Sequence, residues 1–187
     1  MVTFVATAFE EKYESMALIG SLLAQKDQRW KLIIYGNKHS EEIYNICQLI
    51  NDNRITYKVA ETNTGFWGCY NRRDAVYNMV DTDYVVQTSI QDYYLPNAVS
   101  EILSKSGASF IFWDALHHYF DWARLDTQTV IGKIDWGCFA SKTSLAKEVD
   151  FRMPETEFAD GIFAVDCIQS NHFISAEKIG KVLTIHN

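Results

Sequence analysis

The chain opens with "VTFVATAF" (residues 2–9), a run rich in β-branched and aromatic residues that predicts a strand. The period then changes. From Glu11 to Gln25 the apolar residues Met16, Ile19, Leu22 and Leu23 fall at helical spacing behind an acidic front, which predicts a helix packed through those four. "WKLIIYG" (30–36) predicts a second strand ending at Gly36. "SEEIYNICQLI" (40–50) predicts a helix capped by Ser40, with Ile43, Ile46, Cys47 and Ile50 on one face. "ITYKVA" (55–60) predicts a third strand, and the loop "ETNTGFWGCYN" leads to a helix through Arg73, Val76 and Met79. "DYVVQTS" (83–89) predicts a fourth strand. Pro96 is placed to open a helix through Val99, Ile102 and Leu103, and "ASFIFWD" (108–114) predicts a fifth strand.

This βαβαβαβαβ rhythm over residues 1–114 predicts an α/β fold with a mostly parallel central sheet and helices on both faces. Ligands of such sheets bind outside the carboxyl ends of the strands. That rule singles out Thr7 to Glu10, Gly36 to His39, Ala60 to Asn71 and Ser89 to Asp92. Residues 115–187 are less regular. They carry "IDWGCFA", a polar loop around Pro154, a helix-like "TEFADGIFAVDCIQ" and a final strand "KVLTIHN".

Composition narrows the function classes. The 187 residues are 48% hydrophobic and 14% aromatic, which is globular, and they suffice for one domain with a sizeable core. The net charge of −7, with basic residues scattered apart from Arg72-Arg73, gives no stripe for coating a nucleic acid duplex. "MVTFVATAF" has no basic leader region or small-residue cleavage site, and no apolar run approaches a membrane span. The expectation is a soluble, cytoplasmic protein. Cys47, Cys69, Cys138 and Cys167 are too scattered for a CxxC pair and are expected to be reduced and buried.

Several motifs are absent. The sequence has no GxxxxGK[ST] loop, no GxGxxG after the first strand and no GxSxG elbow, and His117-His118 are adjacent rather than spaced as HExxH. Four separated pieces remain: the Asn63–Asn71 loop with Arg72, Asp92 after the fourth strand, Asp160 at a helix start, and His186 after the last strand. A divalent metal, manganese or magnesium, held by Asp92 and His186 suits a diphosphate leaving group, and Asp160 suits a base for the acceptor. Each piece also has a plain structural reading. Asp92 could cap the following helix, Asp160 could be an ordinary first-turn acid, His186 could be a frayed end, and Arg72 and Arg73 could be a solvated helix face.

In order and spacing these pieces resemble a GT-A fold glycosyltransferase similar to family 2. "VATAFEEKYESMALIGSLLAQ" is similar to the family's first strand and helix, and "WKLIIYGNKHSEE" to its second strand. "NTGFWGCYNRRDAV" resembles the segment bordering the nucleotide, and "SIQDYYLPNAV" the Asp-x-Asp region. "DWGCF" resembles the glycine loop near donor and acceptor, "ETEFADGIF" the segment ending in the catalytic base, and "VLTIHN" the terminal strand with a metal-binding His. The resemblance implies transfer of a sugar, with inversion, from a nucleoside diphosphate sugar (a UDP-sugar first) to a hydroxyl acceptor, which could be a glycan, lipid carrier, protein or modified nucleobase. Residues 1–114 would bind the nucleotide sugar, and residues 115–187 would carry acceptor and catalysis.

By that resemblance Thr7, Ala8, Glu10, Asn37 and Asn63 line the nucleoside pocket. Gly65, Asn71, Arg72 and Gln91 contact the donor, Asp92 and His186 hold the metal, and Asp160 is the base. Trp67, Trp136, Gly137 and Glu157 face the acceptor. The sequence departs from the pattern where Gly36-Asn37, Ser89 and Gln91 stand in place of usual acids. Those departures keep a non-catalytic nucleotide-sugar or glycan binding module as the alternative. A nucleotidyltransferase ranks lower, because "TAFEEKYES" lacks a glycine-rich basic loop.

Overall fold

Alternation along the first strand sorts its side chains into two apolar layers. Val2, Phe4 and Ala6 join one core and Val5 joins another on the opposite face. The computed structural model describes residues 1–9, 13–60, 68–149 and 156–186. Strands β1 (Val2–Ala8), β2 (Trp30–Gly36), β3 (Ile55–Val59) and β4 (Tyr84–Ser89) pair in parallel in the order β3-β2-β1-β4. The register sets Thr7 beside both Tyr35 and Ser89, so the carboxyl ends of the three inner strands form one edge.

The rest of the sheet is built differently. It continues from β4 through β8 (Phe139–Lys142), β6 (Phe110–His117) and β9 (Ala176–His186) to β5 (Tyr93–Tyr94), with β7 (Arg124–Leu125) pairing on β6. The β4–β8, β6–β8 and β5–β9 pairs are antiparallel, while β6 and β9 run parallel. The sheet is therefore mixed, and its parallel character is confined to the first half and the β6–β9 pair. The predicted fifth strand does not lie beside the fourth, because β8 returns from a later loop and inserts between them.

The helices are α1 (Ser15–Leu23), α2 (Glu41–Ile50), α3 (Cys69–Met79), α4 (Ala98–Ser104), α5 (Thr143–Glu148) and α6 (Ala159–Gln169). Helices α1, α2 and α4 bury Leu18, Ile43 and Val99 against one face of the sheet. Helices α3, α5 and α6 bury Val76, Leu145 and Phe163 against the other. Each such side chain contributes roughly 1.5–3 kcal/mol when fully buried. Among the described residues no helix is long and apolar enough to cross a membrane.

Three local expectations change. In α1 the buried stripe is Ser15, Leu18, Ile19 and Leu22, whereas Met16 and Leu23 are exposed. Pro96 does not open α4: Asn97 stands at its cap, and the Pro96 carbonyl accepts the Lys26 N–H at 2.8 Å. Asp92 does not cap that helix either, because β5 intervenes and pairs Tyr93 and Tyr94 with the last strand. Ser40 caps α2 as predicted, its hydroxyl accepting the Ile43 N–H at 3.3 Å.

Candidate active site

A cavity of about 660 Å³ opens at the carboxyl ends of β1 and β4. Thr7, Arg72, Gln91, Trp136, Glu157, Asp160 and His186, all singled out from sequence, line it together. The parallel strands deliver Thr7 and Gln91. The first turn of α6 delivers Asp160, and the end of β9 delivers His186.

The floor rests on Asp92, which is fully buried. One of its oxygens accepts the Ser89 N–H at 2.9 Å and the Thr88 hydroxyl. The other meets His186 Nδ1 at 2.6 Å. A carboxylate behind an imidazole fixes the ring and turns the second nitrogen outward, the arrangement that orients metal-binding histidines. Burial alone would lower the His186 pKa. The Asp92 hydrogen bond and the charges of Asp92 and Asp135 outweigh burial and lift it to about 9. His186 is thus neither frayed nor solvated.

Gly137 makes this floor possible. It has φ +86°, and a Cβ there would lie 2.4 Å from Asp92 Oδ2. Its N–H donates to the Gln87 carbonyl at 2.6 Å, and its carbonyl accepts the Thr184 hydroxyl at 2.9 Å. Gly137 therefore packs behind the cavity wall and is not among its lining residues.

Two carboxylates face each other above the floor. Burial first, then the charge of Asp135, pushes Asp160 up to about 7, against the Gly161 N–H and the Arg72 charge. The Gly161 N–H reaches Asp160 Oδ1 at 2.6 Å. Asp135 lies below its ordinary value: burial opposes ionisation, but the His117 hydrogen bond and the charge of His186 prevail. Like charges this close favour one shared proton between the two acids. Arg72 is buried rather than solvated, with its guanidinium carbon 5.0 Å from the Trp136 ring and Nη2 donating to the Thr88 carbonyl at 3.3 Å. Burial pushes its pKa down, while Asp92, Asp135 and Asp160 hold the charge in place.

His117, Asp135 and His186 present ligand atoms within 4.8 Å of one another. Two imidazoles and a carboxylate suit a divalent cation of the manganese type. Asp92 turns the His186 ring toward that role, but with its pKa lifted to about 9 the ring carries a proton on Nε2 as well, which coordination would displace. In His117, Nδ1 accepts the Tyr119 N–H at 3.2 Å, which assigns the proton to Nε2, 2.5 Å from Asp135. Coordination through Nε2 would require that proton and the backbone bond to be given up.

Sequence reasoning gave His117 and Asp135 no role of their own, although Asp135 opens the "DWGCF" segment. The predicted strand 108–114 stopped three residues short of His117, and extending it would have brought His117 under the carboxyl-end rule. Asp135 stands directly before the Trp136-Gly137 pair that was singled out. Ala8, Asn37 and Asn71 do not line the cavity. The Ala8 carbonyl accepts the Asn37 N–H at 2.8 Å, and Asn71 Nδ2 donates to Asn37 Oδ1 at 3.2 Å, so the three tie the ends of β1 and β2 to α3. Glu10, Asn63, Gly65 and Trp67 lie outside the described residues.

No protein-family model and no curated protein sequence matches the chain. Solved structures do. TarS of S. aureus superposes with a TM-score of 0.79 at 12% identity, covering 100% of this chain and 36% of TarS. A TarS 1–349 structure in complex with UDP-GlcNAc gives 0.75 at 13% identity, covering 98% of this chain and 57% of that one. The mannosyltransferase PcManGT of Pyrobaculum calidifontis, in complex with GDP-Man and Mn2+, gives 0.74 at 12% identity, covering 99% and 56%. This chain thus spans between about a third and three-fifths of the chains it resembles. At such identities the likeness speaks for architecture alone, and that architecture is the GT-A fold.

Proposed function

We propose that the chain transfers a sugar from a nucleoside diphosphate sugar to a hydroxyl acceptor, with inversion, in the manner of family 2. The observation that carries this reading is the meeting of Asp160, Asp135 and His186 in one cavity at the carboxyl ends of β1 and β4. Thr7 and Gln91 stand on the donor side, and Glu10, Asn63 and Gly65 belong there by resemblance. The UDP-GlcNAc and GDP-Man bound by structural neighbours support a nucleotide sugar as donor.

Asp160 is the base. Its carboxylate takes the acceptor hydroxyl proton as that oxygen bonds to the anomeric carbon. The bond from that carbon to the diphosphate oxygen breaks on the opposite face, and its electron pair leaves with the diphosphate. A divalent cation would be held by His186 and Asp135, with Asp92 orienting His186, and would neutralise charge on the diphosphate. The Arg72 charge offsets those of Asp92, Asp135 and Asp160, and its guanidinium packs against the Trp136 ring.

The test is Asp160→Asn with UDP- and GDP-sugars and manganese. Transfer and donor hydrolysis are expected to vanish while nucleotide-induced thermal stabilisation persists. Retained transfer would sink the base assignment. The binding-module reading draws on one observation, that both oxygens of Asp92 are already engaged. Absence of turnover with every donor, in a protein that nucleotides still stabilise, would favour it.

A further inference from the structure

The mouth of the cavity is aromatic. Tyr119, Phe120 and Phe158 line it and yet are 77%, 52% and 46% exposed. Large apolar side chains left open around one cavity mark a binding surface rather than a core. They come from two segments that each carry a site residue. Tyr119 and Phe120 sit in the 3-10 turn that follows His117, and Phe158 precedes Asp160 by two positions.

The turn holding the first pair is strained. Asp121 and Trp122 are successive non-glycine residues at φ 51° and 61°. Such positions are unfavourable for residues with a Cβ and persist where surrounding contacts over-determine them. Here the Asp121 N–H donates to the His118 carbonyl at 3.1 Å, the Trp122 N–H to the His117 carbonyl at 3.1 Å, and the Ala123 N–H to the Phe120 carbonyl at 2.8 Å. The strain folds the chain back at the end of β6 and leaves Tyr119 and Phe120 facing outward.

We propose that Tyr119, Phe120 and Phe158 form a stacking platform for an uncharged pyranoside, the acceptor of the transfer reaction. The proposal rests on the transfer reading and adds the acceptor class to it. A pyranose ring presents a face of C–H bonds, which suits the negative face of an aromatic ring, and an edge of hydroxyls. Hydroxyl partners line the same cavity in Thr156, Glu157 and Asp160. Charge argues against a phosphate-bearing acceptor. The basic side chains among the described lining residues are Arg72, His117 and His186, all sunk beside Asp135, while Glu157 is exposed at the rim. A long alkyl chain is disfavoured too, since the aliphatic side chains among the described lining residues are Leu125 and Ile134.

Saturation-transfer difference NMR on the full chain with UDP and manganese tests this. The probes are the methyl glycosides of glucose, galactose, mannose and N-acetylglucosamine, alongside octyl glucoside and glycerol phosphate. Saturation is expected on the ring C–H protons of at least one methyl glycoside. It is expected to fall about five-fold or more in Tyr119→Ala/Phe120→Ala and in Phe158→Ala, and to be retained in Tyr119→Phe. UDP-induced thermal stabilisation should be unchanged in all of these variants. Equal saturation in wild type and the alanine variants would overturn the proposal. So would silence from all four methyl glycosides in a protein that UDP stabilises, or a signal confined to the octyl chain or to glycerol phosphate. Aromatic-dependent glycoside signal in a protein that no nucleotide stabilises would instead sink the transfer reading and leave the saccharide platform standing.

Discussion

Residues 1–89 and residues 93–186 contribute to one sheet by different means. The first stretch adds each strand beside an earlier one through a helical crossover, so β1, β2, β3 and β4 lie parallel and their carboxyl ends align. The second threads β8 between β4 and β6 and sends β9 along the far side of β6. In the first stretch a local pattern fixes where a ligand can sit. In the second, the chemical groups meet only because distant segments pair: Asp92 reaches His186 across 94 positions of sequence. The comparison teaches that the donor edge is a local product and the reactive floor a long-range one. Substitutions in the floor should therefore affect stability and chemistry together, while those in the regular half away from the cavity should affect stability alone.

The largest effect is expected at Gly137. Gly137→Ala sets a Cβ against the Asp92 carboxylate at a positive φ. A loss of about 3 kcal/mol or more in urea unfolding is expected. An unchanged midpoint would show that the floor can relax, and would break the contrast between the halves.

Asp92→Ala comes next. It strips an acceptor from the Ser89 N–H, the Thr88 hydroxyl and His186 at once. The expected cost is about 2–3 kcal/mol, with manganese affinity by titration calorimetry falling roughly 10–100-fold. Lost stability with intact manganese affinity would separate Asp92 from any role behind His186.

Gly161→Ala acts more gently on folding. Its Cβ would meet the Ile131 Cα at 2.7 Å, so the segment leading to Asp135 must shift against the turn carrying Asp160. A cost of about 1–2 kcal/mol and a drop of roughly ten-fold or more in transfer rate are expected, with nucleotide stabilisation retained. Equal losses in nucleotide binding and rate would mean that the two carboxylates are not what moved.

The smallest effect belongs to the regular half. Ser40→Ala removes the hydroxyl cap of α2 and should cost about 1 kcal/mol by thermal unfolding, leaving transfer unchanged. A change in rate would extend the reactive machinery into a region assigned here to scaffolding.

The donor edge was largely legible in the sequence. Strands β1 to β4 and helices α1 to α3 follow from periodicity, and Thr7 and Gln91 from the carboxyl-end rule. The errors there are local. Met16 and Leu23 fit a helical spacing but lie off the stripe that Leu18 and Ile19 bury, and Pro96 stops one turn residue short of α4. The reactive floor was half legible. Asp160 and His186 reach the cavity with Asp92 behind His186, whereas His117 and Asp135 were given no role, although Asp135 opens the "DWGCF" segment.

By itself, then, the sequence determined the alternating elements, the edge where a ligand sits and the acids and histidine worth watching. These depend on side-chain period and turn chemistry, which act over a few residues. Tertiary structure decided that Asp92 supports His186 rather than capping a helix, that Arg72 is buried among three carboxylates, and that the charge of Asp135 stands against Asp160. It also decided that Tyr119, Phe120 and Phe158 ring one opening. Those outcomes depend on which strands pair and in what register, and a chain closes such contacts through long-range geometry that local patterning does not encode.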